Sequence, residues 1–404
     1  MTNWEELQKR GLIKDVAGEG IEDKINNESI TFYWGTDPTA DSLHLGHYSS
    51  LVTAKRLMMM GHNPILLCGG ATGRIGDPRP TAEREIISID ILNKNVEAIR
   101  NQIDKIFEGK AQLVNNYDWF KDYNFLDFLR DVGKFININY MLNKDIINRR
   151  LETGITYAEF SYMLIQGYDF LHMYENMGCI MQVEGSDQWG NITAGLDLIK
   201  KINGGDAYAF TMPLILDATG KKFGKSEGNA LWLDKNKTSA YEMYQYLINT
   251  DDTKVEEYLK VFTFVSLEDI DKLMQEHQER PELRLAQKEL AKQIITDLHG
   301  EEEFNHAKEV SECLFTGNVS NLTDDEITAV FKGVPTYSYE ELPLIEVLVK
   351  NAIASSKREA REFLSNNAIS VNGVVVTDES FLLDSNRKYN IIRRGKKKYY
   401  LIEK

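Results

Sequence analysis

Long apolar runs, prolines and cysteines are all scarce in this sequence. None of its 404 residues belongs to an apolar run of the ~18 residues needed to cross a bilayer, and Glu5 and Glu6 stand where a signal peptide would be apolar. We therefore expect a cytoplasmic protein without a membrane partner. The three cysteines, Cys68, Cys179 and Cys313, are far apart and form no CxxC pair, so neither a disulfide framework nor a zinc site is expected, and no metal ligand is assigned.

Positive charge is also in deficit, and it is unevenly distributed. The chain has 47 Lys and Arg against 62 Asp and Glu, a net charge of −15. Residues 344–404 carry 12 Lys and Arg against 7 Asp and Glu, a balance of +5, which leaves −20 on residues 1–343. An acidic body repels polyanions, so the C-terminal segment is the first candidate for contact with a nucleic acid.

Strand-like and helix-like segments alternate along the first half of the chain. Apolar periodicity and glycine or proline stops predict helices at 43–60 and 191–201, and strands at 30–35, 65–68, 179–183 and 207–216. This order predicts an α/β fold, a Rossmann-like parallel sheet with helices on both faces. Such sheets bind ligands beyond the C-terminal ends of their strands.

The length of the chain predicts more than one domain. A catalytic domain is expected at 1–222, with a mostly helical insertion at about 115–178. An α-helical domain should follow at 223–316, and glycine, asparagine and acidic residues predict a linker at 317–342. Residues 343–404 return to a helix, 357–366, and short strands such as 369–373, which predicts a small α+β domain.

One candidate phosphate site follows the first predicted strand. The motif His44-Leu45-Gly46-His47 lies where a loop enters a helix, and helix N-termini attract anions. The two imidazoles add donors, and Gly46 permits close approach of a nucleotide. Taken alone, an HxGH motif is as often a helix start with two surface histidines.

A second candidate site follows the last predicted strand of the α/β region. Lys222-Phe223-Gly224-Lys225-Ser226 places two lysines on a loop that could close on a pyrophosphate leaving group. Alone, such a loop is usually a solvated turn. Its pairing with the HxGH motif in one α/β region favours nucleotide chemistry.

With these two motifs the sequence resembles the class I aminoacyl-tRNA synthetases and their HIGH and KMSKS signatures. More narrowly it resembles the bacterial-type tyrosyl-tRNA synthetases, over nearly the whole chain. The resemblance runs through Tyr33-Trp34-Gly35, Gly69 to Pro78, Arg150 to Ile155, Glu159 to Phe170 and Gly185 to Asn191. It implies L-tyrosine, ATP with Mg²⁺ and tRNA(Tyr) as substrates and partners, and a homodimer with the helical insertion at its contact.

The spacing of three polar residues also predicts a binding pocket. Tyr162, Gln166 and Asp169 are spaced i, i+4, i+7, which places them on one helix face. Such a stripe is normally solvated, but its apolar neighbours predict burial, and buried polar groups need partners. The resemblance implies that Tyr33 and Asp169 bind the phenol of tyrosine, that Asp77, Tyr162 and Gln166 hold its ammonium group, and that Gln188 lies near its carboxylate. Phenylalanine would leave Tyr33 and Asp169 desolvated and unpaired.

The same resemblance assigns the residues of catalysis and nucleotide binding. The catalytic set is Thr39, His44, His47, Arg84, Lys222, Lys225 and Ser226. The ATP-binding set is Gly35, Gly46, Asp187, Leu214, Ile215 and Lys225. No protein nucleophile is needed, because the tyrosine carboxylate attacks the α-phosphate and positioning with charge stabilisation supplies the catalysis.

Three positions depart from the family pattern. Trp34 replaces a smaller residue that commonly follows the strand tyrosine, which puts a ribose contact there in doubt. Glu184 stands where the family often has glycine. The stretch after Pro78 lacks the lysine of the mobile phosphate loop, and although Arg84 aligns with the loop arginine, whether Arg79 replaces the lysine stays open.

The C-terminal segment resembles an S4-like RNA-binding domain. The residues expected to contact RNA phosphates are Lys357, Arg358, Arg361, Arg393, Arg394, Lys396 and Lys397. The alternative is a solvated basic tail, since charge runs are often only that.

Two other functions were weighed. One is a related adenylyl-transferring enzyme, either a tryptophanyl-tRNA synthetase or a small nucleotidylyltransferase; the phenol pair and the basic C-terminal segment argue against both. The other is an inactive RNA-binding or splicing relative. Intact Tyr33, His44, His47, Asp169 and Lys222 argue against it, as does the acidic body.

Overall fold

The computed structural model describes residues 1–78, 87–226, 229–316, 322–331, 334–395 and 398–404, and its side chains except those of 145, 146, 225, 226, 229, 313–316 and 329. The described helices are α1 (Asn3–Lys9), α2 (Ile21–Asn27), α3 (Leu45–Met59), α4 (Ile89–Ile106), α5 (Tyr117–Phe120), α6 (Phe125–Asp131), α7 (Ile138–Leu142), α8 (Asp145–Leu151), α9 (Tyr157–Met177), α10 (Trp189–Asn203), α11 (Ala240–Ile248), α12 (Val255–Phe262), α13 (Leu267–Glu279), α14 (Leu285–His299), α15 (Glu301–Thr316), α16 (Asp324–Val330), α17 (Leu344–Lys350) and α18 (Lys357–Ser365).

The described strands belong to three sheets. They are β1 (Val16–Ala17), β2 (Thr31–Thr36), β3 (Asn63–Cys68), β4 (Gln112–Asn115), β5 (Cys179–Gly185), β6 (Tyr208–Met212), β7 (Lys225–Ser226), β8 (Asn229–Ala230), β9 (Thr336–Ser338), β10 (Ile369–Val371), β11 (Val374–Val375), β12 (Tyr389–Arg394) and β13 (Lys398–Glu403). The chain divides into two compact units, Met1–Thr238 with Leu247–Leu298, and Ser239–Tyr246 with His299–Lys404. The domain boundaries given above stay predictions.

The main sheet has six strands in the order β1-β6-β5-β2-β3-β4. Strands β2 to β6 pair in parallel, and β1 pairs antiparallel with β6 at the edge. From β2 the chain moves outward through β3 to β4 and then returns to β5 on the other side of β2. The predicted Rossmann-like parallel sheet is confirmed, with its change of direction between β2 and β5.

Strands β2 and β5 separate towards their C-terminal ends. Their paired register ends at Tyr33 and Gln182, whereas β2 stays paired with β3 as far as Thr36 and β5 with β6 as far as Gly185. Ligands of open α/β sheets bind in the crevice at such a point. The sheet therefore places a cleft beside the motif that begins α3.

Strand β6 is shorter than the sequence predicts. It ends at Met212 rather than at 216, and Pro213, which has no N–H to donate to a neighbouring strand, follows directly. The apolar character that continues to residue 216 belongs to a loop, with Leu214 44% and Leu216 37% exposed.

Helices α9 and α10 pack against each other at two glycines. A Cβ atom on Gly167 would lie 3.1 Å from Leu198 Cδ1, and one on Gly195 would lie 3.1 Å from Phe170. The close approach holds α9 against the sheet, where Phe170 and Leu171 join a buried cluster with Tyr33. The polar face of α9 is thereby fixed beside β2.

A buried polar contact ties α3 to α14. Asp297 accepts hydrogen bonds from the Tyr48 hydroxyl at 2.6 Å and from Lys55 Nζ at 2.5 Å. Tyr48 is fully buried and Lys55 is 9% exposed, so each depends on this one carboxylate in a poorly solvated place. The contact fixes the helix that carries His44 and His47 at its start.

The second unit contains a five-stranded sheet of order β11-β10-β12-β13-β9. Helices α17 and α18 supply apolar residues to one buried cluster with this sheet. Residues 317–342, predicted as a linker, contain α16, whose Ile327 belongs to a second buried cluster, and β9, which pairs in parallel with β13. Among the described helices, none combines the length and apolar character that a membrane crossing requires.

Replacing Asp297 with Ala tests the tie between α3 and α14. The variant leaves Tyr48 and Lys55 buried without their acceptor, and we expect a loss of about 3 kcal/mol or more in the free energy of unfolding. Urea unfolding followed by circular dichroism measures the change. The matched control is Glu108→Ala, which breaks the exposed pair with Lys110 and should leave the midpoint unchanged; equal shifts in both variants would contradict the assigned role.

Candidate functional site

Asp169 is the buried carboxyl group at the centre of the cleft. It lies on α9 and is 1% exposed. Its Oδ1 accepts a hydrogen bond from Trp119 Nε1 at 2.9 Å, and its Oδ2 accepts one from Asn116 Nδ2 at 3.0 Å. No cation pairs with it among the described residues, so both of its contacts are to neutral donors.

The environment of Asp169 strongly favours its neutral form. Burial raises the pKa of this carboxyl to about 8, although the donors Asn116 and Trp119 oppose the rise, and the negative charge of Asp37 adds to it. Near neutral pH this carboxyl therefore carries a proton for much of the time.

Tyr33 presents an unsatisfied hydroxyl to the same region. Its side chain is 1% exposed, and its hydroxyl has no hydrogen-bond partner among the described residues. Burial, and then the charges of Asp169 and Glu184, raise the pKa of this phenol well above its usual value. Gln182 lies close enough to lower this pKa, but by less than burial and the two charges raise it. Its geometry does not meet the requirements of a hydrogen bond to the Tyr33 hydroxyl. An orphaned buried hydroxyl is rare and marks a place for a ligand.

Asn116 links this pocket to the glycine-rich segment after β3. Its Oδ1 accepts from the Ala71 N–H at 2.6 Å, and its Nδ2 also donates to Thr72 Oγ1 at 3.1 Å. A Cβ atom on Gly70 would lie 2.3 Å from Asn115 Oδ1. Only glycine therefore allows this segment to lie against the end of β4.

A second polar cluster occupies the other end of α9. The Tyr162 hydroxyl donates to Asp37 Oδ2 at 2.9 Å, and Gln166 Oε1 is buried without a partner among the described residues. Nearby in the fold, Gln188 Nε2 donates to Asp77 Oδ2 at 3.0 Å. These groups form an acceptor-rich patch that suits a positively charged ligand group.

The two signature motifs meet across a glycine contact. A Cβ atom on Gly224 would lie 2.8 Å from the Gly46 nitrogen and 3.0 Å from Leu45 Cβ. The Leu45 N–H donates to the Leu231 carbonyl, and the Leu231 N–H donates to the Gly224 carbonyl, at 2.8 and 2.9 Å. The lysine-containing loop is therefore held against the start of α3.

The histidines are organised by the same helix start. The His44 ring accepts from the Gly46 N–H at 3.1 Å, and His47 Nδ1 accepts from the His44 N–H at 3.3 Å. The two rings stack with centroids 3.9 Å apart. Their Nδ1 atoms accept these backbone N–H groups, so the tautomer that carries its proton on Nε2 is favoured in each ring.

Comparison with known proteins gives the family. The description "tRNA synthetases class I (W and Y)" matches residues 25–316, and "Tyrosine--tRNA ligase SYY-like C-terminal domain" matches residues 326–402. The tyrosine--tRNA ligase of Geobacillus stearothermophilus is 48% identical over 411 residues, covering 98% of both chains. Tyrosine--tRNA ligase 1 of Bacillus licheniformis is 47% identical over 413 residues, again covering 98% of both. The chain belongs to the class I tyrosyl-tRNA synthetases.

A solved structure of the family agrees. The C-terminally truncated mitochondrial tyrosyl-tRNA synthetase of Aspergillus nidulans is 33% identical, with a TM-score of 0.69, over 78% of this chain and 94% of that one. The protein is thus an aminoacyl-tRNA synthetase, an enzyme of a class that uses ATP to attach an amino acid to transfer RNA. In the Archaeoglobus fulgidus tyrosyl-tRNA synthetase, 14% identical with a TM-score of 0.58, the fold alone is shared.

The structure brings most of the residues predicted for this synthetase to the cleft. Those lying on β2, at the start of α3, on α9 or in the turn after β5 are Tyr33, Gly35, His44, Gly46, His47, Tyr162, Gln166, Asp169, Asp187 and Gln188, while Asp77 lies in the loop that follows β3. Thr39 and Lys222 lie on exposed loop positions, and Ile215 is 9% exposed beside the exposed Leu214. Arg79, Arg84, Lys396 and Lys397 fall outside the described residues, as do the side chains of Lys225 and Ser226.

Sequence reasoning missed four polar residues of the cleft. They are Asp37, Asn116, Trp119 and Asn191. Asn191 Nδ2 donates to Gln188 Oε1 at 2.9 Å and to Asp77 Oδ1 at 3.3 Å, so it fixes the orientation of the Gln188 amide. Asn116 directly follows β4, at the edge where ligands bind, but no strand was predicted there, so no signal for it was found in the sequence.

The predicted RNA contacts are partly engaged within the second unit. Lys357 pairs with Glu346, and the Arg361 Nε pairs with Glu379 at 3.0 Å. The Arg394 guanidinium lies 5.3 Å from the Phe363 ring centroid and donates to the Ile353 carbonyl. Arg358 is exposed and Arg393 is half-buried.

The pH dependence of stability tests the state of Asp169. Because folding raises its pKa from 3.8 to about 8, the folded state keeps a proton that the unfolded state has lost, and this contribution to stability falls as the pH rises from about 4 to about 8. The Asp169→Asn variant cannot titrate and should lack that part of the fall. Urea unfolding of both proteins between about pH 5 and 9 measures it, and parallel curves would contradict the assignment.

Proposed function

We propose that the protein activates L-tyrosine with ATP, giving tyrosyl-adenylate and pyrophosphate, and then transfers tyrosine to the 3′-terminal adenosine of tRNA(Tyr). The observation that carries this proposal is the pair of buried groups at the closed end of the cleft. The Tyr33 hydroxyl lacks a partner and the Asp169 carboxyl is held only by neutral donors. Both have hydrogen-bonding capacity left for a third group.

A phenol hydroxyl fits that place because it can donate and accept at once. It would donate to Asp169 and accept from Tyr33, which satisfies both protein groups. Phenylalanine offers neither function, so the buried Tyr33 hydroxyl stays unpaired, at a cost of about 1–3 kcal/mol, and Asp169 keeps only its donors Asn116 and Trp119. The pocket would therefore select tyrosine by the penalty imposed on its competitor.

The ammonium group of the substrate is assigned to the acceptor-rich patch at the other end of α9. Asp77, the Tyr162 hydroxyl and the orphaned Gln166 Oε1 would receive it. The Gln188 amide, oriented by Asn191, would meet the carboxylate. This direction of binding points the carboxylate towards the start of α3.

The two signature motifs would then bind ATP around that carboxylate. His44 and His47 supply donors at a helix N-terminus, and Gly46 allows close approach of the phosphates. Thr39, Lys222, Lys225, Ser226 and Arg84 are assigned to the pyrophosphate that develops as the tyrosine carboxylate attacks the α-phosphate. Leu214 and Ile215 are assigned to the adenine, and Gly35 and Asp187 to the nucleotide near its ribose.

Magnesium is proposed to enter with the nucleotide. Among the described residues no group of three His, Cys, Asp or Glu side chains is arranged to hold a metal ion. Phosphate oxygens are the ligands that Mg²⁺ commonly takes in such sites, and the ion would offset charge on the leaving pyrophosphate.

Transfer RNA is assigned to the C-terminal segment, through the seven lysines and arginines named from the sequence. Phosphate contacts of this kind position an RNA without reading its sequence. Since Lys357 and Arg361 are engaged in exposed ion pairs, RNA binding would exchange those partners for phosphates. The cytoplasmic location stays a prediction.

A homodimer is proposed from the surface of the helical insertion. Five large apolar residues between positions 125 and 157 are strongly exposed, with Phe125 at 61%, Leu126 at 71%, Ile138 at 63%, Leu151 at 48% and Tyr157 at 64%. An exposed apolar group of this size is typical of an interaction surface. A second copy of the chain would cover it.

Amino-acid-dependent exchange of pyrophosphate into ATP tests the proposed activation step. With tyrosine, phenylalanine and tryptophan compared in parallel, tyrosine should support exchange at least about 100-fold better in kcat/KM than phenylalanine, because phenylalanine leaves the Tyr33 hydroxyl unpaired and gives Asp169 no third hydrogen bond. Exchange with tryptophan would overturn the pocket assignment, and none with any amino acid would favour an inactive RNA-binding protein.

The control for the hydroxyl test is Tyr33→Phe, which keeps the ring and removes one partner of the phenol. Discrimination between tyrosine and phenylalanine should fall about 10-fold. Tyr337→Phe in β9 removes a hydroxyl from the second unit and should leave the ratio unchanged. An unchanged ratio in Tyr33→Phe would exclude Tyr33 from the phenol site.

Sedimentation tests the proposed dimer. The chain should sediment at twice its mass of 46.3 kDa, and Leu126→Lys should shift it to the monomer by burying a charge in the contact. Met59→Lys changes an equally prominent apolar residue, 62% exposed, outside the insertion and should leave the mass unchanged. A monomeric parent protein, or equal effects of both variants, would refute this contact.

A further inference from the structure

Glu184 is a buried carboxyl group that the proposed mechanism does not yet use. It lies next to the last residue of β5 and is 6% exposed. Its Oε1 accepts the N–H of Gly35 at 2.5 Å. The pairing of β2 with β5 ends two residues earlier, at Tyr33 and Gln182. The Gly35 N–H therefore has no backbone acceptor on β5, and the Glu184 side chain accepts its hydrogen bond instead.

The contact changes what the cleft offers to a ligand at this point. The Gly35 N–H was assigned to the nucleotide, but it is already engaged by Glu184. The ligand therefore meets a carboxyl group there instead of a backbone donor. Glu184 forms no ion pair in the described part of the chain, and its second oxygen is not committed to any described donor.

The surroundings of Glu184 are acceptors. Burial is the largest cause that raises the pKa of Glu184, and the negative charges of Asp187 and Asp37 raise it further. Asp187 Oδ1 lies 2.7 Å from the position that a Cβ atom on Gly185 would take, and Glu184 Oε1 lies 3.5 Å from the corresponding position on Gly35. Gly185 thus leaves room for the Asp187 carboxyl group where β2 and β5 separate, whereas the distance at Gly35 is an ordinary van der Waals contact. Lys14 donates to the Ser186 hydroxyl at 3.2 Å rather than to either of them.

A group of acceptors selects the part of ATP that can donate. Phosphates carry negative charge and would be repelled by these carboxyl groups. The ribose offers two neighbouring hydroxyls, and a hydroxyl can both donate to and accept from a carboxyl group, so it can pair with Glu184 whether or not that group carries a proton. The adenine is assigned elsewhere, to Leu214 and Ile215.

We propose that Glu184 binds the ribose of ATP through one of its two neighbouring hydroxyls, beside Asp187, while its other oxygen holds the Gly35 N–H. This inference rests on the proposed function, since it places a residue in the nucleotide half of the same cleft. It also gives the departure at position 184 a role, because a glycine there could neither hold the Gly35 N–H with a side chain nor reach the sugar. Trp34 is only 1% exposed, so we assign the contact with the ribose to Glu184 on β5 and not to Trp34.

Equilibrium binding of nucleotides to the full-length protein tests the proposal without requiring turnover. Dissociation constants of ATP, 2′-deoxy-ATP and 3′-deoxy-ATP are measured for the parent protein, for Glu184→Ala and for Glu184→Gln. The parent protein should bind at least one deoxynucleotide about 10-fold or more weakly than ATP, because a hydrogen bond to a buried carboxyl group is lost. In Glu184→Ala that ratio should fall by about 5-fold or more.

The Glu184→Gln variant distinguishes binding of the sugar from the hydrogen bond that Glu184 accepts from the Gly35 N–H. Its amide oxygen can still accept the Gly35 N–H, while an amide NH2, which donates but does not accept, replaces the carboxyl oxygen that faces the sugar. The ratio should therefore fall in this variant also, by less than in Glu184→Ala. A purely structural role predicts that all three nucleotides weaken equally in Glu184→Ala and that Glu184→Gln binds like the parent protein.

Three results would overturn the proposal: equal affinity of the parent protein for ATP and both deoxynucleotides, an unchanged ratio in Glu184→Gln, or a matching change in the control Glu19→Gln, an exposed glutamate outside the cleft. Because binding is read directly, these outcomes are independent of tyrosine-dependent exchange. A protein that discriminates through Glu184 but shows no exchange would refute the proposed function and leave this inference standing.

Discussion

A carboxyl group buried without a cation is the constraint on which the rest of the cleft depends. Asp169 stays in place because Asn116 and Trp119 reach it from segments that follow β4, and because α9 is packed tightly against α10. Burial disfavours the charged form of this carboxyl group and so raises its pKa. A phenol hydroxyl relieves it while pairing the orphaned Tyr33. The stability of the free protein and the selection of its substrate are thus linked through one side chain.

The change of direction in the sheet then determines where the nucleotide chemistry can occur. Because β2 and β5 separate after Tyr33, the start of α3 and the end of β5 face one crevice. Gly224 brings the lysine loop against Gly46, and the contact of Tyr48 and Lys55 with Asp297 fixes the helix behind it. The reacting carboxylate and the phosphates would meet between the start of α3, the end of β5 and the lysine loop. Buried contacts fix α3 and the loop in position.

Much of this could be predicted from the sequence, and each failure has a physical cause. Local periodicity gave the strands and helices around the cleft, and the spacing of Tyr162, Gln166 and Asp169 identified the polar face of α9. Asn116, Trp119, Asp37 and Asn191 were missed because their partners lie 50 to 125 residues away or in a network that only the folded chain assembles. Strand β6 was extended too far because apolar residues continue past Pro213. Helix α16 lies in a stretch whose polar composition resembles a linker, although its few apolar residues are buried.

The crystal structure of the chain with L-tyrosine bound is the measurement that bears most directly on the phenol site. The phenolic oxygen should lie at hydrogen-bond distance, about 2.5–3.2 Å, from both the Tyr33 hydroxyl and a carboxyl oxygen of Asp169, with the ammonium group near Asp77 and Gln166. A tyrosine bound in the opposite direction, or a phenol that contacts neither Tyr33 nor Asp169, would contradict the claim that these two groups select the substrate.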